Sequence, residues 1–65
     1  MKIIVNGDVR NVSAASLADA LEELGFDGAV VATALNEEFV AAGTRMDTPL
    51  SDGDRLEVLA PMQGG

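Results

Sequence analysis

The sequence predicts an α+β domain in which a mixed sheet of four or five strands wraps one helix. Three observations carry that prediction. A β-branched run at the start of the chain closes on Asn6-Gly7, one amphipathic stretch opens with a capping pattern at Ser16, and an alternating run, Arg55 to Leu59, stands near the end. The first and last runs are apolar enough to be central. A right-handed crossover through the helix can set a later strand parallel to the first.

Lys2 to Val5 is the first strand, and Asn6-Gly7 supplies the two positive φ angles of a type I′ turn, so Val9 to Val12 pairs back as a hairpin. On a period of two, Met1, Ile3 and Val5 face the core and Ile4 the other side. Val9 and Val12 differ in parity, so one of them sits outside the core or at a bulge. Ser16-Leu17-Ala18-Asp19 has the form of a capping box; Leu17, Leu21 and Leu24 fall on one stripe, and Gly25 supplies the left-handed stop. That stripe reads as a helix packed on a sheet, with Glu22 and Glu23 off it in solvent. Asp27-Gly28 turns the chain. Val30 to Leu35 then reads as a strand apolar on both faces, hence central, and after Asn36-Glu37-Glu38 the chain returns through Phe39-Val40. Ala41 to Pro49 has no clear period and reads as a loop with at most a short helical turn. Leu50 is an isolated core anchor, Ser51-Asp52-Gly53-Asp54 a turn, and Arg55 to Leu59 a strand with Leu56 and Val58 pointing inward.

The chain has 65 residues, which make one domain, expected over residues 1–60 with a flexible tail over 61–65. A domain this small buries only about 60% of the surface its unfolded chain exposes, so packing alone must hold it, as a monomer without metal or disulfide. Eleven acidic against four basic residues give a net charge of −7, which repels phosphate backbones and disfavours nucleic acid. The same charge fits a partner with a basic docking face, or simple solubility; the two readings stand level. The apolar run at the N-terminus ends at Asn6, too short for a signal peptide or membrane span, and with the absence of cysteine this gives the expectation of a cytoplasmic protein with no membrane partner.

Without His, Cys, Tyr or Trp, the chain lacks the Ser-His and Cys-His nucleophile pairs, the usual zinc ligands and most general bases tuned near neutral pH. No catalytic residue is expected. Asp52 and Asp54 form an acidic pair about Gly53, but Ser-Asp-Gly-Asp is better read as turn chemistry. Asn11-Val12-Ser13 matches a glycosylation sequon that nothing routes to a secretory compartment.

The pattern breaks after Leu59 into Ala60-Pro61-Met62-Gln63-Gly64-Gly65. Pro61 cannot donate to a ladder and ends the strand. From there the tail could reach about 17 Å when extended, enough to enter another protein's cleft. Two glycines without Cβ atoms can thread a narrow channel and leave the terminal carbonyl open to attack, which makes the carboxylate of Gly65 a candidate reagent. The plain alternative is a frayed terminus. At 7 glycines in 65 residues a terminal pair arises by chance in roughly 1% of sequences, so the ending is suggestive by itself and no more.

Five segments in this order make the whole chain resemble the thiamine-biosynthesis sulfur-carrier family: Ile3-Ile4-Val5-Asn6-Gly7; Ser16-Leu17-Ala18-Asp19-Ala20-Leu21 through Leu24-Gly25; Leu35-Asn36-Glu37-Glu38-Phe39-Val40; Leu50 through Val58; and Pro61-Met62-Gln63-Gly64-Gly65. The resemblance implies the ubiquitin-like β-grasp fold. It implies that a ubiquitin-activating-like adenylyltransferase adenylates Gly65, that a persulfide donor converts it to a thiocarboxylate, and that the sulfur passes to thiazole synthase. It further implies no bound cofactor, with the adenylate and thiocarboxylate as covalent intermediates. By the same analogy Gly64, Gln63 and Met62 thread the partner's active site. Ala41-Ala42-Gly43-Thr44-Arg45-Met46 departs from the family, where a basic or aromatic-containing segment is common, and so gives no guide to docking. The rivals are the small subunit of molybdopterin synthase, also a sulfur carrier, a ubiquitin-like modifier conjugated to lysines, and an interaction module with an inert tail.

Overall fold

The computed structural model describes residues 1–60. Its elements are β1 (Lys2–Val5), β2 (Asp8–Asn11), α1 (Leu17–Glu23), β3 (Ala32–Leu35), β4 (Glu38–Val40), a 3₁₀ helix (Ala42–Asp47) and β5 (Arg55–Leu59). The five strands form one sheet in the order β2-β1-β5-β3-β4, antiparallel except for the parallel β1–β5 pair. Helix α1 carries the chain from β2 to β3, and the stretch through the 3₁₀ helix then brings β5 in between β3 and β1, parallel to β1, in the mixed sheet wrapped on one helix that was expected.

The hairpin turn forms as its dipeptide dictates, with Asn6 at φ 50° and Gly7 at φ 89°. Tertiary packing settles the valine parity. Val12, one residue beyond β2, is buried, whereas Val9 is 66% exposed on the far face. Met1 departs from expectation: it has core parity, but it stands at the sheet's corner, 40% exposed, and only its backbone is engaged, with Val12.

Helix α1 opens at Ser16, whose Oγ accepts the Asp19 N–H at 3.2 Å, and closes before Gly25 at φ 93°. Leu17 and Leu21 enter the core as expected, and Ala20 joins them fully buried, because a small residue lets the helix approach the sheet. Leu24 is only partly buried against that core. Glu23 is exposed, yet its carboxylate accepts the Ser13 N–H and Oγ–H, which ties the end of the helix to its approach.

Two stretches differ from expectation. The strand expected over Val30–Leu35 begins only at Ala32, and Val30 is 79% exposed; β3 is an inner strand, but the helix covers only one face of the sheet, so just Thr33 of it is buried. The stretch expected as a loop with at most a short helical turn holds a six-residue 3₁₀ helix, which buries nothing and therefore shows no apolar period. Arg45 anchors it: Nε donates to Thr33 Oγ1 at 3.0 Å and an Nη donates to the Val31 carbonyl at 2.7 Å. Beyond it Leu17 N–H bonds the Thr48 carbonyl and Leu50 N–H the Ala15 carbonyl, which draws Leu50 into the core beside Ile3, Val5, Leu56 and Val58.

Candidate functional site: the open sheet face and the root of the tail

Because α1 covers one face of the sheet, residues of the opposite parity stand on an open face. The register sets them in rows. Val9, Ile4 and Arg55 lie side by side, then Glu57, Ala34 and Phe39, then Leu59 and Ala32. Phe39 is 74% exposed and Leu59 66%. These bare apolar side chains make the open face the candidate interaction surface of the domain. Arg55 and Glu57 break the patch at its centre, and Glu37 and Glu38 stand at the β3–β4 end. Arg55 approaches Glu37 at 3.7 Å, an exposed pair that fixes little.

Strand β5 is the middle strand of the five, and it leads through Ala60 to the tail. The apolar face thus extends to Leu59, one residue before Ala60, the last of the described residues. Met62, Gln63, Gly64 and Gly65, the residues expected to carry and present the sulfur, lie outside the described residues.

Asp52 and Asp54 hold the turn before β5. Asp52 accepts the Lys2 N–H at 2.8 Å; Asp54 accepts the Ser51 N–H at 2.7 Å and an Asn36 amide N–H at 3.0 Å. Both carboxylates are engaged by the backbone and by a turn, which fits the turn reading over an acid-base pair. Among the described residues no group of three His, Cys, Asp or Glu side chains is placed to hold a metal ion. The hollow between the β3–β4 hairpin and the 3₁₀ helix, lined by Leu35, Glu38, Phe39, Val40, Thr44 and Thr48, is open and contains a single carboxylate.

Phe39, Leu59 and Val9 were not singled out from the sequence as site residues. The signal was present: Leu59 has the parity opposite to Leu56 and Val58, so if those two face the helix, Leu59 must face away.

A single helix clasped by a five-stranded mixed sheet, with the parallel pair at its centre and the tail leaving the middle strand, defines a small ubiquitin-like β-grasp domain. The ThiS family model matches residues 3–65. The sulfur carrier protein ThiS of Thermus thermophilus is 44% identical over 61 residues, covering 94% of this chain and 95% of that protein. The thiazole synthase of Paramagnetospirillum magneticum is 41% identical over 66 aligned residues; these cover 100% of this chain but only 20% of the relative, so the chain spans about a fifth of that protein's length. The crystal structure of the thiamine biosynthesis protein ThiS from Geobacter metallireducens superposes with a TM-score of 0.83 at 32% identity, covering 100% of both chains. A solution structure of a thiamine biosynthesis protein from the same organism gives 0.77 at 30% identity, covering 100% of this chain and 88% of the other. This chain belongs to the ThiS family.

Proposed function

We propose that the chain is a sulfur carrier of thiamine biosynthesis, a protein co-substrate whose reactive group is the carboxylate of Gly65. The observation that carries this reading is the family match, whose bounds, residues 3–65, include the tail as well as the fold. The relative in which a matching stretch forms part of a thiazole synthase supports that enzyme as the recipient of the sulfur.

The chemistry follows from the inventory of residues. A carboxylate is a poor electrophile, so an ATP-dependent adenylyltransferase must first activate it. The Gly65 carboxylate attacks the α-phosphorus of ATP, a C–O–P bond forms, and the bond to the β-phosphate breaks to release pyrophosphate. A persulfide then attacks the acyl carbon and AMP leaves, giving an acyl disulfide. A second thiolate attacks the donor cysteine's own sulfur, the one not bonded to the acyl carbon; the S–S bond breaks, the thiocarboxylate leaves, and a new disulfide joins the two thiols. Gly64, without a Cβ, lets the backbone pass a narrow channel, with Gln63 and Met62 behind it. Thiazole synthase receives the sulfur through the same tail. The open face supplies docking: Phe39, Ala34 and Leu59 provide the apolar contact, and the acidic surround favours a partner with basic groups about its own apolar patch.

Adding one alanine after Gly65 tests the reading. One residue moves the carboxylate by about 3.3 to 3.6 Å, and misplacement of a reacting group by about 1 Å can cost on the order of a hundredfold. ATP–pyrophosphate exchange with the activating enzyme should be abolished while the thermal melt is unchanged. An untrimmed extended protein that still exchanges at the native rate shows that Gly65 is not the reactive group. Intact mass of the protein from its own cell gives an independent test. Exchange of one oxygen for sulfur marks the carrier, whereas a ladder of larger adducts marks a modifier.

A further inference from the structure

We propose that Asn6 is a positioning residue for the tail: its side-chain amide adds the last rung on the β1 side of β5 and so fixes the point from which the tail departs. The proposal rests on the carrier reading above. Alternate residues of β5 direct their peptide groups toward β1. Along that side the Ile4 N–H donates to the Asp54 carbonyl at 2.9 Å, and the Asn6 N–H to the Leu56 carbonyl at 2.9 Å. The next peptide groups due a partner belong to Val58. Backbone cannot meet them, because Asn6 has turned into the left-handed region at φ 50° and the chain is already doubling back into β2.

The side chain takes over at that position. Asn6 Oδ1 accepts the Val58 N–H at 2.9 Å, and Asn6 Nδ2 donates to the Val58 carbonyl at 3.1 Å. A carboxamide has the same donor and acceptor pair as a peptide group, so it continues the parallel ladder by one rung after the strand itself has ended. On the other flank β3 still holds the strand, with Ala32 paired to Leu59. With both rungs in place β5 is held up to Val58 on the β1 side and up to Leu59 on the β3 side, one residue before Ala60. Without the Asn6 rung the end of β5 is held on the β3 side alone and can rock about it. Any such motion shifts Ala60, the point from which the chain continues to the carboxylate of Gly65.

Asn36 supplies a matched comparison. It occupies the same place in the β3–β4 turn at φ 51°, and its side chain also bonds β5, accepting the Arg55 N–H at 3.0 Å and donating to Asp54 at 3.0 Å. Those bonds lie at the start of the strand, away from the tail. Clamping β5 is thus common to both turns, and proximity to the tail belongs to Asn6.

The test compares Asn6→Gly and Asn36→Gly with wild type in the full chain. Glycine keeps the positive φ and removes only the side-chain rung. In Asn6→Gly, amide hydrogen exchange at Val58 should rise at least tenfold while the Ile4 amide is unchanged. In ATP–pyrophosphate exchange, kcat at saturating carrier should fall at least fivefold with KM for the carrier within twofold, because the docking face is intact and the reacting group is misplaced. A purely structural role gives a different pattern: fewer folded carriers raise the apparent KM and leave the saturating rate alone. Asn36→Gly should keep the wild-type kcat. If Asn6→Gly does not fold by thermal melt, Asn6→Asp serves, since it retains the turn and the acceptor for the Val58 N–H but sets a carboxylate oxygen against the Val58 carbonyl. The proposal is overturned by an unchanged Val58 amide, by a wild-type kcat in the variant, or by an equal loss in Asn36→Gly. Wild-type carrier that supports no exchange at all instead overturns the carrier reading on which the proposal rests.

Discussion

Glu37 holds the second turn position between β3 and β4 at φ 72°, where Gly7 stands in the β1–β2 turn at φ 89°. A side chain in the left-handed region costs about 1 to 2 kcal/mol, and a glycine there returns part of that as lost freedom of the unfolded chain, roughly 0.5 to 1 kcal/mol. Glu37→Gly should therefore raise stability by roughly 0.5 kcal/mol, a gain the exposed Arg55 pair is too weak to reverse. A urea midpoint lower than wild type would contradict this. Phe39 is the residue on which the docking reading turns. Phe39→Asp places a charge in the apolar patch without opening a void, since the ring is 74% exposed. The expected result is a KM for the activating enzyme raised at least tenfold with an unchanged melt; unaltered KM would remove Phe39 from the docking surface.

Among the elements, α1 carries the core that the sheet cannot supply alone. Leu17, Ala20 and Leu21 face Ile3, Val5, Leu56 and Val58, and all seven belong to one buried cluster. Leu21, only 6% exposed, should cost about 2 to 5 kcal/mol when replaced by alanine, enough to unfold much of so small a domain. Chemical denaturation measures this, and a loss below about 0.5 kcal/mol would mean that the helix does not pack as described. The helix was legible because its cap, stripe and stop lie within ten successive residues, Ser16 to Gly25, and each is a local signal. The 3₁₀ helix was not. It is held by Arg45 reaching Thr33 and Val31, twelve and fourteen residues away in sequence, and nothing in Ala41 to Pro49 announces those partners.

At the scale of the whole molecule the charge of −7 and the open face that reaches Leu59 bear on recognition together. A partner that read the tail alone would accept the peptide Ala60 to Gly65 as well as the protein. Six mostly small residues offer little surface to bury, whereas the folded sheet adds an apolar patch and a field that steers encounter. The peptide should be adenylated at a kcat/KM lower by at least a hundredfold, and equal rates for peptide and protein would dispose of the docking role of the face. Raised salt should slow activation of the protein through its association rate, because acidic steering is screened over about 10 Å at 0.1 M.

The order of elements, the hairpin turn, the cap of α1, the inward residues of β5 and the Gly-Gly ending were decided by the sequence, since each rests on residues adjacent or one helical turn apart. Tertiary structure alone decided which of Val9 and Val12 is buried, where β3 begins, that Met1 stays at the surface, and that Phe39, Ala34 and Leu59 meet on one face. Those outcomes depend on register between strands far apart in the chain and on the helix covering only one side of the sheet. The Asn6 rung is of the same kind: Asn-Gly announces a turn, but the reach of its amide to Val58, fifty-two residues on, exists only once β5 has been laid beside β1.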